Sequence, residues 1–271
     1  MDRAVGRRGR ERGGIGHAII ERMRLSLQLY TLRDDLDKDL RGTLERVRGI
    51  GLEYVELAGL YGKTAEEWRD LLGELGLKAS GSHVGLEAFE TDEAAAIAEA
   101  KLFGDPYVIV PYVGADDFRQ NAPQLKERMR KVSGALKANG LSLLYHNHDH
   151  EMEVKDGKTL LETLFDGLDP QAVGAELDLA WVKIGGQDPV TYMDTLGPYL
   201  RLLHLKDFSG SGESRKWVPA GQGEVDFDTI LPLAEQKGIE FGAIELDNSP
   251  DMPAIDAVAK SFEYFSGKGL K

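Results

Sequence analysis

The chain has 271 residues, no cysteine, and 33 basic against 46 acidic side chains, for a formal net charge of −13. The missing cysteine excludes disulfides, thiolate zinc sites and cysteine nucleophiles, so any metal must be held by His, Asp and Glu. The acidic balance argues against a nucleic-acid groove, which needs clustered Lys and Arg, and no apolar run approaches the roughly 20 residues of a membrane-spanning helix; the expected partner is a small polar molecule, with neither nucleic acid nor membrane.

Residues 1–22 carry Arg3, Arg7, Arg8, Arg10, Arg12 and Arg22 among five glycines and show little apolar periodicity, so they read as a flexible N-terminal extension. Met23 is an alternative start. The segment lacks the apolar core of a secretory signal; an Arg-rich leader is compatible with an organellar address, and cytoplasmic is the default expectation. From residue 23 onward, short apolar runs alternate with amphipathic stretches, the pattern of repeated strand-helix units in a parallel sheet.

The strands are expected at Leu25–Tyr30, Tyr54–Leu57, Ala79–Val84, Tyr107–Tyr112, Leu141–His146, Val173–Leu177, Leu200–Leu205 and Phe241–Leu246. Helical periodicity covers Leu36–Ile50, Ala65–Leu75, Ala94–Leu102, Phe118–Ala138 and Ile255–Phe265, and several of these helices end at glycine: Gly51, Gly76, Gly140 and Gly238. Eight such units in residues 23–271 predict a single α/β domain with a closed (β/α)₈ TIM barrel. No Gly-x-Gly-x-x-Gly follows the first strand, so a dinucleotide fold has no support.

Enzymes with this architecture build their sites at the C-terminal ends of the strands, and the polar residues of this chain cluster there. Gln28 and Tyr30 close the first strand, Glu56 the second, His83 the third and Tyr112 the fourth. His146 and His148 close the fifth, Glu176 and Asp178 the sixth, His204, Lys206 and Asp207 the seventh, and Glu245 and Asp247 the eighth. Buried ionisable groups are costly unless paired or bound to metal, so their recurrence on apolar strands marks a site. Glu56 and His83 also suit a supporting hydrogen bond, Asp207 and Asp247 a loop cap, and Lys206 an ion pair with Asp207, Glu176 or Glu245.

The run Tyr145-His146-Asn147-His148-Asp149-His150-Glu151 holds three of the six histidines. Strand alternation puts His146 and His148 on one face and Asn147 on the other, leaving Asp149 and His150 to the loop. Asp178, His204 and Glu245, with His146 as the leading fifth-strand ligand and His148 as the alternative, make a four-ligand set for one divalent ion: Mn²⁺, Zn²⁺, Co²⁺, Fe²⁺ or Mg²⁺. Such an ion can chelate adjacent sugar oxygens and acidify the C–H between them. Glu245, Glu151, His148 and Lys206 are the candidate catalytic groups, with Lys206 placed to meet an oxyanion, carboxylate or phosphate. Gln28, Glu56, His83 and Tyr112 are the candidate substrate contacts. The Gly-rich connection after strand seven is a candidate lid, and its Trp217 can stack on a sugar ring. The same metal set also allows hydrolysis by bound water; a serine triad has no support.

From residue 23 to about 265 the chain resembles the xylose-isomerase-like TIM barrels, the group of sugar phosphate isomerases/epimerases that includes ketose 3-epimerases and inosose dehydratases. The resemblance rests on Tyr145-His146-Asn147-His148, on Glu176-Leu177-Asp178 with Trp181, on His204-Leu205-Lys206-Asp207, on the segment from Gly221 to Phe227, and on Ile244-Glu245-Leu246-Asp247. It implies a metal held by Asp178, His204 and Glu245 together with a fifth-strand Glu, and here that Glu is replaced by His146. Two-carboxylate epimerisation thereby loses one partner, and the His-containing pattern resembles the inosose-dehydratase side of the family. Endonuclease IV, a distant relative, needs more His ligands and a basic face. The expectation is a metal-dependent isomerase or epimerase that enolises a keto-sugar. The alternatives are a lyase or dehydratase on a keto-inositol or 3-keto-glycoside, and a sugar-binding barrel without chemistry. Barrels of this kind often pair, so a homo-oligomer is allowed.

Overall fold

The computed structural model describes residues 22–104 and 106–271; most of the expected N-terminal extension, residues 1–21, lies outside the described residues. Eight parallel strands close into a barrel: β1 (Arg24–Gln28), β2 (Tyr54–Ala58), β3 (Lys78–His83), β4 (Tyr107–Val110), β5 (Ser142–His146), β6 (Val173–Asp178), β7 (Leu200–Leu205) and β8 (Phe241–Ile244), with β8 paired back to β1. Helices cover the outside, and among the described residues none is long and apolar enough to cross a membrane.

Alternation along each strand divides the apolar residues into two bodies. Outward residues such as Leu25, Leu27, Val55, Val108, Leu143, Leu177 and Leu203 join one large core with the helices. Inward residues Ile109, Leu144, Leu202 and Phe241 form a separate small plug inside the barrel, with Tyr54 and Tyr107 against it. Below it the Arg24 guanidinium stacks 4.2 Å over the Phe241 ring and pairs with Glu240. The apolar plug fills the N-terminal half, which leaves the polar inward residues gathered in the C-terminal half.

Two register shifts adjust that gathering. Between β2 and β3, Val55 pairs with Ala79 but Glu56 with Gly81, so Ser80 is the extra residue. Ser80 Oγ lies 2.6 Å from Ser26 Oγ, while a Cβ at Gly81 would stand 2.6 Å from Ile109 and 3.5 Å from the Glu56 carboxylate. Both residues therefore face the interior, and glycine makes room for Ile109 beside Glu56. Between β6 and β7, Ala175 pairs with Leu200 but Glu176 with Leu202, so Arg201 is the extra residue and Asp178 comes level with His204.

Several boundaries differ from the sequence expectation. β1 stops at Gln28 because its side chain accepts the Tyr30 N–H at 3.0 Å and starts the short 3₁₀ turn Leu29–Leu32, which lifts Tyr30 to the barrel mouth. β4 stops at Val110, before Pro111, which has no N–H to continue the ladder. The helix expected at Leu36–Ile50 is two, Arg33–Lys38 and Leu40–Ile50, because Asp39 leaves helical geometry and caps the second by accepting the Gly42 N–H at 2.9 Å. Phe118–Ala138 likewise divides into Ala115–Gln120 and Ala122–Ala138. Ala65–Leu75 has its expected bounds, with a capping box at Thr64 and left-handed Gly76 behind it.

Beyond β7 the chain makes a small hairpin, Asp207–Ser209 with Lys216–Val218, that carries Trp217. Asp207 is buried and organises this connection: Oδ1 accepts the N–H groups of Phe208 and Val225, and Oδ2 those of Gly221 and Gly223, all at 2.9–3.0 Å. A Cβ on Gly223 would lie 2.2 Å from Asp207 Oδ1, so only glycine permits this wrap. Of the two roles open to Asp207, the structure gives it the loop cap. Replacing Asp207 by Ala strands four N–H groups and is expected to cost about 3 kcal/mol of stability, measured by urea unfolding; a loss under about 1 kcal/mol would show that the loop holds itself.

Candidate metal centre

Inward alternation presents Glu176 and Asp178 from β6, His204 and Lys206 from β7 and its end, and Glu245 and Asp247 just past β8. Glu176 Oε2 is a hub: it lies 3.0 Å from His204 Nε2, 3.1 Å from His83 Nε2 and 3.2 Å from His146 Nδ1. Glu56 Oε1 lies 2.9 Å from the same His204 nitrogen and 3.0 Å from His83 Nε2, and it accepts a hydrogen bond from Gln28 Nε2 at 2.6 Å. On the opposite side of the ring, His204 Nδ1 is 2.9 Å from Glu245 Oε2. Lys206 Nζ donates to that oxygen at 2.9 Å and reaches Asp247 at 2.5 Å and Asp178 Oδ2 at 3.4 Å. Of the ion pairs left open for Lys206, the one with Glu245 forms, and Asp178 and Asp247 take the place of Glu176 and Asp207.

Three carboxylates thus surround the Lys206 ammonium and two more, Glu56 and Glu176, face the histidines, and burial makes each charge depend on its neighbours. Burial works against the Lys206 charge, but Glu245, Asp178 and Asp247 outweigh it and raise its pKa, so it remains an ammonium. Burial likewise opposes ionisation of Glu245, yet Lys206 and His204 hold it well below the usual carboxylate range. For Asp178 burial wins and lifts the group to about 6. His83 is raised to about 9, because Glu56 and Glu176 overcome its desolvation. His146 is pushed well down by burial and by His204, and His148 falls to about 3 through burial and the Lys206 charge. Neutral imidazoles and ionised carboxylates are the forms that bind metal.

A divalent ion suits this donor set. One nitrogen or oxygen from each of His146, Asp178, His204 and Glu245 lies within 4.8 Å of all the others, and these four side chains are buried. Asp178 Oδ1 accepts the Trp181 N–H at 2.9 Å and caps the helix Leu179–Ile184, whereas its Oδ2 and Glu176 Oε1 are buried without a hydrogen bond. Orphaned carboxylate oxygens amid excess negative charge are the condition a cation relieves.

A cavity of about 590 Å³ opens above this layer, with His83, His146, Glu245 and Asp247 towards its base and Tyr30, Tyr112, His148 and Trp181 around it. His146 and His148 come close together, their rings 5.1 Å apart, although β5 ends at His146. Asn147, facing the other way, accepts the Asp178 N–H at 3.0 Å and locks the ends of β5 and β6 together. Of the residues expected at the site, Gln28, Glu56, Glu151, Lys206 and Trp217 do not line the cavity, nor do the metal candidates Asp178 and His204. Gln28 lies behind Glu56, which is itself below the cavity. Glu151 sits buried behind the loop, accepting the Tyr145 hydroxyl at 2.6 Å and the His148 N–H at 2.8 Å, so it supports His148. Trp217 packs edge-on to Trp181 at 4.9 Å and 4.7 Å from the Lys206 ammonium. Trp181 and Asp247 do line the cavity and were not singled out as contacts. Their signals lie in spacing: Trp181 is one helical turn past the capping Asp178, and Asp247 one strand repeat past Glu245.

No curated protein matches the chain. Among solved structures the fold is similar to a sugar phosphate isomerase/epimerase from Parabacteroides distasonis, with 24% identity, 90% of this chain and 98% of that one covered, and a TM-score of 0.77. It is also similar to the probable 3-DHS dehydratase AsbF from Bacillus anthracis (17% identity, 90% and 99% covered, TM-score 0.68) and to the IOLI protein with a bound zinc atom (16%, 90% and 97%, 0.67). Residues 44–266 match the family model for the xylose isomerase-like TIM barrel, and the chain belongs to that family.

Proposed function

We propose that this protein is a divalent-metal-dependent isomerase or epimerase that enolises a keto-sugar. The observation that carries the reading is the convergence of His146, Asp178, His204 and Glu245 within 4.8 Å at the base of a cavity of sugar-accommodating size. The zinc in the IOLI structure supports an ion in this place. When bound, a divalent ion supplies Lewis acidity that draws charge from the substrate carbonyl and acidifies the neighbouring C–H.

The chain's own groups divide the remaining work. Glu245 borders the cavity, which places it to receive the carbon-bound proton, and the Lys206 and His204 charges that keep it ionised also weaken it as a base. Lys206, fixed by Glu245 and Asp247, offers a permanent positive charge to the developing oxyanion. His148 stays neutral, and its buried Nδ1 has no protein partner, leaving it free to bond a substrate hydroxyl. Tyr112, half exposed at 57%, and Trp181 give the sugar ring apolar faces to lie against. Return of the proton to the neighbouring carbon completes isomerisation, and return to the opposite face completes epimerisation.

The test is turnover in D₂O with a panel of ketoses, keto-inositols and 3-keto-glycosides. Solvent deuterium in a product of otherwise unchanged composition supports the reading; loss of water or an alcohol from the product assigns a lyase instead, and no exchange with any member overturns enolisation. Asp178→Asn and His204→Ala are expected to lose turnover and the ion held by His146, Asp178, His204 and Glu245 while keeping the far-UV circular dichroism of the parent. Full turnover in metal-free protein would end the metal assignment. Lys206→Met is expected to lower kcat about 10² to 10³-fold with a smaller change in KM; an unchanged kcat would remove Lys206 from the chemistry.

A further inference from the structure

His204 shows its Nδ1 face to Glu245, but its Nε2 face belongs to a second constellation that the enolising reading leaves unused. There His83 Nε2, Glu56 Oε1, His204 Nε2 and Glu176 Oε2 form a closed ring with successive separations of 3.0, 2.9, 3.0 and 3.1 Å. His146 Nδ1 flanks the same Glu176 oxygen at 3.2 Å, and donors from His83, His146, Glu176 and His204 lie within 4.8 Å of one another.

Hydrogen bonding alone serves this ring poorly. With both carboxylates ionised, the form that binds metal, they only accept, and each imidazole Nε2 carries one proton at most, so two N–H groups would have to cover four short contacts. Glu176 Oε1 remains buried without any partner, which is unusual for a carboxylate in a satisfied network. A cation removes the shortage of donors, since it takes a lone pair from every corner. For metal–ligand distances of about 2.1 Å, donors at right angles stand about 3.0 Å apart, the spacing of this ring. The support expected around a ligand is also present: Gln28 Nε2 donates to Glu56 Oε1 at 2.6 Å. His83 borders the cavity, so the ring lies next to a route from solvent.

We propose that Glu56, His83, Glu176 and His204 form a second divalent-cation site, of imidazole-carboxylate character and with the right-angled donor spacing of an octahedral ion such as Co²⁺ or Mn²⁺, joined to the first through the two nitrogens of His204. The inner site rests on donor geometry and stands apart from the identity of the reaction.

Metal-stripped full-length protein titrated with Co²⁺, and separately with Zn²⁺, then desalted and analysed for metal, decides the matter. The expected result is two equivalents per chain in the parent, one in His83→Asn and in Glu176→Gln, and one, the inner one, in Asp178→Asn. Circular dichroism and thermal melting establish that each variant is folded, and the visible absorption of Co²⁺ follows the lost component directly. A single equivalent that survives both His83→Asn and Glu176→Gln overturns the inner site and leaves the ring as a brace for His204. A single equivalent lost in His83→Asn but kept in Asp178→Asn supports the inner site and removes the metal set on which the proposed function depends. No bound metal in the folded parent overturns both.

Discussion

The structure of the site depends on one electrostatic constraint: carboxylates buried at the ends of β2, β6 and β8 outnumber the cations beside them. Lys206 is fully buried, and three carboxylates face it, so its ammonium cannot be removed without leaving uncompensated charge. His204 links that cationic side to Glu56 and Glu176, so a proton or ion placed on either of its nitrogens is felt across the whole layer. Such a layer is held in tension until positive charge enters it, and it is insulated below by the apolar plug of Ile109, Leu144, Leu202 and Phe241. Low polarity beneath and an aqueous cavity above make the upper side the favourable direction of approach for ions and substrate.

Inward alternation, repeated on eight strands, converts a linear pattern into this two-storey interior. Strands β5 and β7 show this directly, with an apolar residue below and a polar residue one repeat above: Leu144 and His146, Leu202 and His204. The two register shifts matter because they bring residues of neighbouring strands to a common height. The extra Arg201 sets Asp178 level with His204, and the extra Ser80 brings Gly81 opposite Glu56, where the missing side chain leaves room for Ile109 beside the carboxylate.

This explains what the sequence disclosed. Strand positions and the polar ends of β5 to β8 were legible because alternation and terminal glycines act locally, through neighbours in the chain. The clustering of His146, Asp178, His204 and Glu245 followed from barrel closure. What was not legible depends on contacts distant in sequence. Gln28 was expected at the substrate, but a bond to Glu56 holds it behind that residue. Glu151 was expected near the chemistry, but Tyr145 turns it behind the histidine loop. Glu176 was legible as a strand-end residue, yet its convergence with three imidazoles needs strands β3, β5 and β7 at once.

His146 has the largest consequence for reactivity. Where the resemblance implies a fifth-strand carboxylate, a neutral imidazole with a strongly lowered pKa stands instead, packed 4.4 Å from the His204 ring. An additional carboxylate here would add negative charge beside Glu176 and leave the layer still further from neutrality; the imidazole keeps a ligand lone pair without that charge. It also removes a proton acceptor from that side of the cavity, where the nearby His148 is held neutral and Tyr112 offers a ring face. Glu245 and Asp247 are then the carboxylates bordering the cavity, and both are bonded to Lys206. In the proposed enolisation, proton removal is therefore concentrated on the β8 side, with the compensating ammonium on the same side. A site arranged in this one-sided way favours proton removal and return along a single face, or departure of a neighbouring group, over exchange between two opposed carboxylates.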